Sequence, residues 1–370
     1  MKGNDMKILY VTTIGGTMVF FKEFIKRLIA VGHTVDIATN ETGSPVADCY
    51  REWGCRVFPI STSRSPLSMG NVKAVGQIKR LVMTEKYDLV HCHTPIAAFC
   101  TRLACRKARK KLGTKVFYTA HGFHFYEGAP KKNWLIFYTA EKLVARYTDV
   151  LITINREDYA LAQKKLRAKR VAYVPGVGID LSKFGKAEIN VTEKRTSLGV
   201  PEGATLLLSV GELNENKNHS TVIRTLKDFK NVHYVIAGKG HLEGELLALA
   251  PAEGVGDRVH LLGYRTDVAE LYAAADAFVF PSYREGLSVS LMEAMATGLP
   301  VACSAIRGNV DLIDEQGGAL FDPHSVDACR EAIATVISGN TAERGAYNRE
   351  KIKAFDIWNV IEMMRELYRA

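Results

Sequence analysis

Short apolar runs alternate along this chain with stretches whose apolar residues recur at helical spacing. The runs predict strands at Lys7–Thr12, Thr34–Thr39, Arg56–Ile60, Leu89–His93, Lys115–Thr119, Val150–Ile154 and Val171–Val174. Helical patterns, for example Gly70–Glu85 and Lys131–Tyr147, lie between most of them. A polar, glycine-containing break over 176–203 interrupts the alternation. It restarts with strands at Leu206–Val210, His233–Ala237, Val259–Leu262, Ala277–Pro281 and Pro300–Ser304. Strands alternating with helices indicate parallel βαβ units and doubly wound sheets. The expected fold is α/β, with two Rossmann-like domains, 1–180 and 200–355, facing across a cleft. A last amphipathic helix, 356–370, carries Ile357, Val360, Ile361, Met364 and Leu367 and is expected to pack back on the first domain. In such sheets ligands bind at the carboxyl ends of the strands.

Composition changes this picture little. The 370 residues suit two domains, and 47% apolar with 24% charged is the balance of a soluble globular chain. No run reaches the ~18 uncharged apolar residues that a spanning helix needs, and no apolar signal core opens the chain. A cytoplasmic location is expected. The seven cysteines, Cys49, Cys55, Cys92, Cys100, Cys105, Cys303 and Cys329, form no CxxC pair and predict reduced, buried thiols. Charge changes more. Residues 1–185 carry 30 Lys and Arg against 14 Asp and Glu, a net +16, and the remainder carries 19 against 26, a net −7. Such asymmetry points the first half at a polyanion, a membrane surface or nucleic acid, or else at water alone.

Three loops carry candidate chemistry. The first predicted strand runs into Gly15-Gly16 before a helix, where backbone N–H groups can approach a phosphate; a tight turn alone would also ask for glycine. The second domain opens with a strand ending in Gly211-Glu212-Leu213-Asn214-Glu215-Asn216-Lys217-Asn218. Its lysine can place a point charge on a diphosphate or simply be solvated. The segment Pro281–Val301 says most. Glu285 lies on a loop at a strand's carboxyl end, and Gly286-Leu287-Ser288 open the next helix with N–H groups for an anion. Glu293 lies inside that helix, where a buried carboxylate needs partners such as the two hydroxyls of a ribose.

These residues resemble the EX7E signature of the retaining glycosyltransferases of family 4, which have the GT-B fold. The likeness also runs through the Gly15-Gly16 turn, Asp88–Pro95, Tyr118-Thr119-Ala120-His121-Gly122, the Gly211 to Asn218 loop, Phe280-Pro281-Ser282 and Gly298-Leu299-Pro300-Val301. It spans most of the chain and is strongest to bacterial enzymes that build capsule, exopolysaccharide or lipid-linked oligosaccharides. The resemblance implies a nucleotide-diphosphate sugar, taken as a UDP-sugar, as co-substrate, with no further cofactor and no metal. It implies that Glu285 holds hydroxyls of the donor sugar and that Glu293 binds the ribose. Lys217 would neutralise the diphosphate with the amides of Gly16, Leu287 and Ser288. His121 would reach the sugar near the reacting carbon, and the loop Gly263-Tyr264-Arg265 would offer its backbone to the base. His121 and Glu285 are thus the catalytic candidates. Gly15, Gly16, Lys217, Arg265, Gly286, Leu287, Ser288 and Glu293 are the donor-binding ones. One position departs from the pattern: arginine usually follows the glycine at 211, and here stands Glu212. That carboxylate would repel a diphosphate unless it points away or Arg284 or Arg265 compensates.

The implied reaction is a front-face displacement that needs no protein nucleophile, only a clamp on the diphosphate in a dry site. No Asp-x-Asp occurs in the sequence, in keeping with a lysine and helix N-termini doing a metal's work. The implied acceptor is a glycan or a polyprenyl-diphosphate-linked saccharide, met at the inner face of the plasma membrane. The basic runs Arg106–Lys111 and Lys131-Lys132 flank a helix with Trp134, Leu135, Phe137 and Tyr138. That helix reads either as interfacial or as aromatics packed onto a sheet. His91 and His93 alternate on one strand and so share a face, where lining or packing outweighs metal ligation. His124 is assigned to the acceptor side. Two other readings stand beside this one: a nucleotide-sugar epimerase of the same fold, and a non-catalytic nucleotide-sugar-binding protein. No nucleic-acid motif is present, and Gly238–Gly244 has the wrong glycine spacing for a dinucleotide site.

Overall fold

The structure is a computed structural model that describes residues 5–184 and 189–369. Residues 185–188 of the expected linker, and residue 370 of the last helix, lie outside these. The chain divides into two compact units, Met1–Val177 and Gly178–Ala370.

The first unit is built on seven strands: β1 Lys7–Ile14, β2 Thr34–Asn40, β3 Val57–Pro59, β4 Leu89–His93, β5 Lys115–Ala120, β6 Val150–Thr153 and β7 Arg170–Tyr173. Their order is β3-β2-β1-β4-β5-β6-β7, and every adjacent pair is parallel. Ile8, Leu9, Tyr10 and Val11 are all fully buried, because helices cover both faces of a parallel sheet. That burial is why the run is continuously apolar rather than alternating. The order reverses between β1 and β4, so the loops after these two strands part to opposite faces and leave a crevice. The register Tyr10↔His91↔Phe117 sets the ends of β1, β4 and β5 side by side.

The second unit has six strands: β8 Thr205–Val210, β9 Val232–Ala237, β10 Val259–Leu261, β11 Ala277–Phe280, β12 Val301–Ser304 and β13 Gly318–Phe321. Their order is β10-β9-β8-β11-β12-β13, again all parallel. On β8, Leu206 and Leu208 join one core cluster while Leu207 joins the other, one on each face of the sheet. The switch point here lies between β8 and β11. The edge strand β13 is absent from the sequence prediction: its Gly-Ala-Leu-Phe run is short, and Leu320 stays 38% exposed.

Two segments differ from expectation. The break over 176–203 is not irregular throughout. It holds the helix Val191–Ser197, whose Lys194 pairs with Asp267 and Glu270 and whose Arg195 pairs with Asp276. Its polarity reflects docking through ion pairs rather than solvation. The predicted helix Lys131–Tyr147 is interrupted by a π turn at Trp134–Tyr138. The last helix, Ile357–Arg369, buries Val360, Ile361, Met364 and Leu367 as its periodicity predicts. It is tied at its start to residue 179, whose N–H bonds Phe355 O and whose carbonyl accepts from Ile357 N. Among the described residues no helix is long and apolar enough to cross a membrane.

Candidate active site

In the second unit the two loops at the switch point meet. The loop after β8 places Lys217 Nζ 2.7 Å from Glu285 Oε1 on the loop after β11. Both side chains are less than one-fifth exposed. The lysine also lies 4.7 Å over the Phe280 ring. A short 3-10 turn, Glu215–Lys217, sets this position, capped by Asn214, whose side chain accepts from Lys217 N. The loops are stitched through backbone: Tyr283 N donates to Asn216 O at 2.8 Å, and Asn216 Nδ2 to Arg284 O at 2.9 Å. Asn218 holds φ +54, a conformation open to asparagine, and its Nδ2 donates to Pro281 O and Pro323 O. These asparagines were in view in the sequence, but nothing local marked them as the clamp on the loop of Glu285.

The helix that follows is Val289–Thr297, not one opened by Gly286. Ser288 is its N-cap and its hydroxyl accepts from Leu291 N, so one N–H of the first turn is already used. Gly286 and Leu287 precede the helix in the loop. Glu293 sits in its middle, half-buried, with Oε2 accepting from Tyr272 OH at 2.9 Å. Burial pushes the Glu293 carboxyl up to about 7, against the pull of that hydrogen bond. No signal in the sequence pointed to Tyr272.

Arg307, also unremarked in the sequence, is 6% exposed and donates through Nε to Glu285 O at 3.2 Å. Its neighbour Gly308 has φ +79, and a Cβ there would stand 2.3 Å from Gly286 O. The 305–309 loop therefore presses directly on the loop of Glu285. Glu212 is exposed and accepts from Asn214 Nδ2 at 3.0 Å. Arg265 is not brought to this cluster. Its guanidinium forms a fork onto Asp267, at 2.7 and 2.5 Å, within its own loop. Arg284 is exposed, with its carbonyl used by Asn216. The backbone of Gly263 accepts from Gly238 N. Gly238 and Gly240 are glycines because a Cβ would meet Gly211 O at 1.7 Å and Leu213 O at 2.1 Å.

The first unit places its candidates at its own switch point. Gly15 and Gly16 follow β1, packed so tightly on the 44–46 backbone that a Cβ on Gly15 would lie 2.5 Å from Ser44 O. Gly16 N already donates to Ser44 Oγ at 3.1 Å. Close packing thus accounts for both glycines. His121 follows β5, and its Nε2 lies 3.1 Å from His93 Nδ1 at the end of β4. The His91 and His93 rings are 4.1 Å apart, so the two share a face as their alternation predicts. His91 Nε2 is 2.8 Å from Thr119 Oγ1. Burial pushes His91 down to about 3 and His121 to about 4, and burial also takes His93 well below its ordinary value, with the neighbouring rings adding to the shift. The three rings are neutral at pH 7. Thr94, just past β4, holds φ +64, an uncommon geometry for a β-branched residue, fixed by its 2.7 Å bond to Thr13 Oγ1. All seven cysteines are free, and all but Cys49 are buried.

Lys217 and Glu285 are thus paired at the switch point of a doubly wound sheet, with the Glu293 carboxylate in the helix beyond, and known proteins supply the class. The family model described as Glycosyltransferase Family 4 matches residues 14–183, and that described as Glycosyl transferases group 1 matches residues 190–353. HepE of Anabaena, solved in complex with UDP and glucose, superposes with a TM-score of 0.81 at 21% identity, over 98% of this chain and 99% of that one. The fold is thus that of the GT-B glycosyltransferases. EpsD of Bacillus subtilis (strain 168), a protein assigned as a glycosyltransferase, is 34% identical over 98% of this chain and 96% of its own length. The UDP-Gal:alpha-D-GlcNAc-diphosphoundecaprenol alpha-1,3-galactosyltransferase of Escherichia coli is 29% identical over 90% of this chain and 88% of its own. The chain belongs to the family 4 glycosyltransferases.

Proposed function

We propose that this enzyme moves a hexose or N-acetylhexosamine, with retention and without a metal, from a UDP-sugar to a polyprenyl-diphosphate-linked saccharide in surface-polysaccharide assembly. The observation that carries the reading is the Lys217–Glu285 pair, 2.7 Å apart at the switch point of the second sheet. The acceptor class is supported by the Escherichia coli relative, which acts on a diphosphoundecaprenol-linked sugar.

Without donor, the two charges satisfy each other. A bound diphosphate draws on the Lys217 cation and releases Glu285 to accept hydroxyls of the sugar. The ribose diol donates to Glu293. The acceptor oxygen attacks C1 on the face from which UDP leaves. The bond from C1 to the β-phosphate oxygen breaks, and the acceptor's proton passes to that departing oxygen. His121 is neutral at working pH and serves the sugar as a hydrogen-bond partner, adding no charge. Arg307 holds the Glu285 loop in place through its bond to Glu285 O.

The test is UDP release by the full chain from a panel of UDP-sugars, in EDTA, with and without prenyl-diphosphate-linked N-acetylglucosamine. Release that needs the acceptor and survives EDTA is expected. Release without acceptor, or a UDP-sugar returned as its epimer, would overturn the transferase reading. A strict need for added Mg²⁺ would overturn the metal-free clamp.

A further inference from the structure

The first unit carries an apolar cavity that donor binding does not use. It lies between the 63–68 loop, the start of the helix Pro95–Ala104 and the helical run from Lys131, and holds about 190 Å³. Pro66, Ile96, Phe99, Phe123, Ile136 and Phe137 form most of its wall. Its charged wall group, Glu141, is held by the fully buried Arg102 through two bonds of 2.7 and 2.9 Å. That guanidinium lies 4.2 Å over the Tyr118 ring. The carboxylate facing the cavity is therefore compensated, and beyond the His124 and Tyr118 side chains the wall offers a ligand mainly dispersion contact.

The mouth is of a different kind. Leu67 is 93% exposed, Leu135 74%, Ile136 55% and Leu143 50%. Trp134, Phe137 and Tyr138 instead pack against the core. On the same helical run Lys131, Lys132, Lys142 and Arg146 are exposed, and no acidic residue is. Exposed aliphatics among cations, around an apolar cavity, match an anion carried on a hydrocarbon chain. Arg106–Lys111 is not part of this patch. It precedes β5 and so lies at the amino ends of the strands, where Arg106 shares the Tyr147 ring with Arg146, whereas Lys131 and Lys132 follow β5 at the carboxyl ends.

We infer that this cavity receives the first isoprene units of a polyprenyl diphosphate, with Lys131 and Lys132 meeting the diphosphate. The inference rests on the lipid-linked acceptor proposed above and assigns that lipid its binding site. An apolar cavity of ~150 Å³ takes up a six-carbon ring, so this one has room for one or two five-carbon units. A bilayer surface would be served by the exposed strip alone and would have no use for the cavity behind it.

The experiment titrates farnesyl diphosphate, and separately inorganic pyrophosphate, into the full chain with Trp53 and Trp358 replaced by Phe. Trp134 lies 5.6 Å from Phe125, a cavity residue, so its fluorescence reports occupancy. Saturable quenching by farnesyl diphosphate and none by pyrophosphate is expected. Ala140→Phe fills the cavity and should weaken binding at least tenfold. Ile136→Lys charges its exposed mouth without threatening the core and should do the same. Farnesyl diphosphate bound equally well by both variants, or no better than pyrophosphate, would overturn the assignment. So would sedimentation with phosphatidylglycerol vesicles by a chain that takes up no farnesyl diphosphate; the strip would then be a bilayer contact. No donor enters this assay, so failure of the donor reading leaves its outcome untouched.

Discussion

Donor binding should weaken as pH falls, and the cause should be Glu293. Tyr272 has one proton and two acceptors, Ser290 O and Glu293 Oε2, each 2.9 Å away. The bond from Tyr272 favours the carboxylate, but burial outweighs it and pushes the carboxyl up to about 7. A ribose diol brings two donors and so selects the carboxylate. The apparent Kd is the intrinsic one divided by the competent fraction, which falls from about nine-tenths at pH 8 to about one-tenth at pH 6. The donor should therefore bind about tenfold more weakly at pH 6, a difference of ~1.4 kcal/mol. Calorimetry with a UDP-sugar is the assay, since the terminal phosphate of free UDP titrates in the same range. Glu293→Gln should bind more weakly at pH 8 and show no slope. A wild-type affinity flat between pH 6 and 8, or a Gln variant that keeps the slope, would refute the reasoning.

Lys217→Ala and Glu285→Ala each leave a partly buried charge unpaired, at about 1–3 kcal/mol. Each should lower kcat/KM about ten- to hundredfold, and the double variant should cost less than the two combined; additivity would deny the coupling. Gly308→Ala forces a side chain into φ +79 and a Cβ to 2.3 Å from Gly286 O. Its urea midpoint should fall by more than ~1 kcal/mol of stability, with weaker UDP binding, and a wild-type midpoint would show that the loop yields freely. Acid should unfold the enzyme through its buried histidines. Their ordinary value of 6.5 drops to about 3 at His91 and about 4 at His121. Between pH 6.5 and 4 the unfolded chain binds protons that the native one does not. Stability is then lost as pH falls, by ~1.4 kcal/mol per unit for each ring. Glu293, raised rather than lowered, acts in the opposite sense over 4.5 to 7 and offsets one of them. Urea midpoints at pH 7 and pH 5 measure the net effect; no loss at pH 5 would contradict it.

The sheets were legible because their strands are buried on both faces. Leu206-Leu207-Leu208 has no polar position to hide it, whereas the half-exposed edge run Gly318–Phe321 escaped notice. The helix from Lys131 was legible as a helix but not as a surface. A π turn at Trp134–Tyr138 interrupts it, and of the two readings left open for its aromatics the packed one holds: they face the core, while Leu135 and Ile136 face water. The pairing of Lys217 with Glu285 spans 68 residues and depends on β8 and β11 being neighbours. Local pattern holds no information on that adjacency, and only resemblance placed the two together. Tyr272, Asn218 and Arg307 act through equally distant partners, and resemblance did not single them out. The helix start was misplaced because Ser288 reads as a first-turn residue until its hydroxyl is seen capping Leu291 N.

The most direct test is the anomeric configuration of the product. The full chain would be given an α-linked UDP-sugar and prenyl-diphosphate-linked N-acetylglucosamine, and the new linkage read by proton NMR. The account predicts an α linkage with one UDP released per linkage formed. A β linkage, or UDP formed without any linkage, would contradict it.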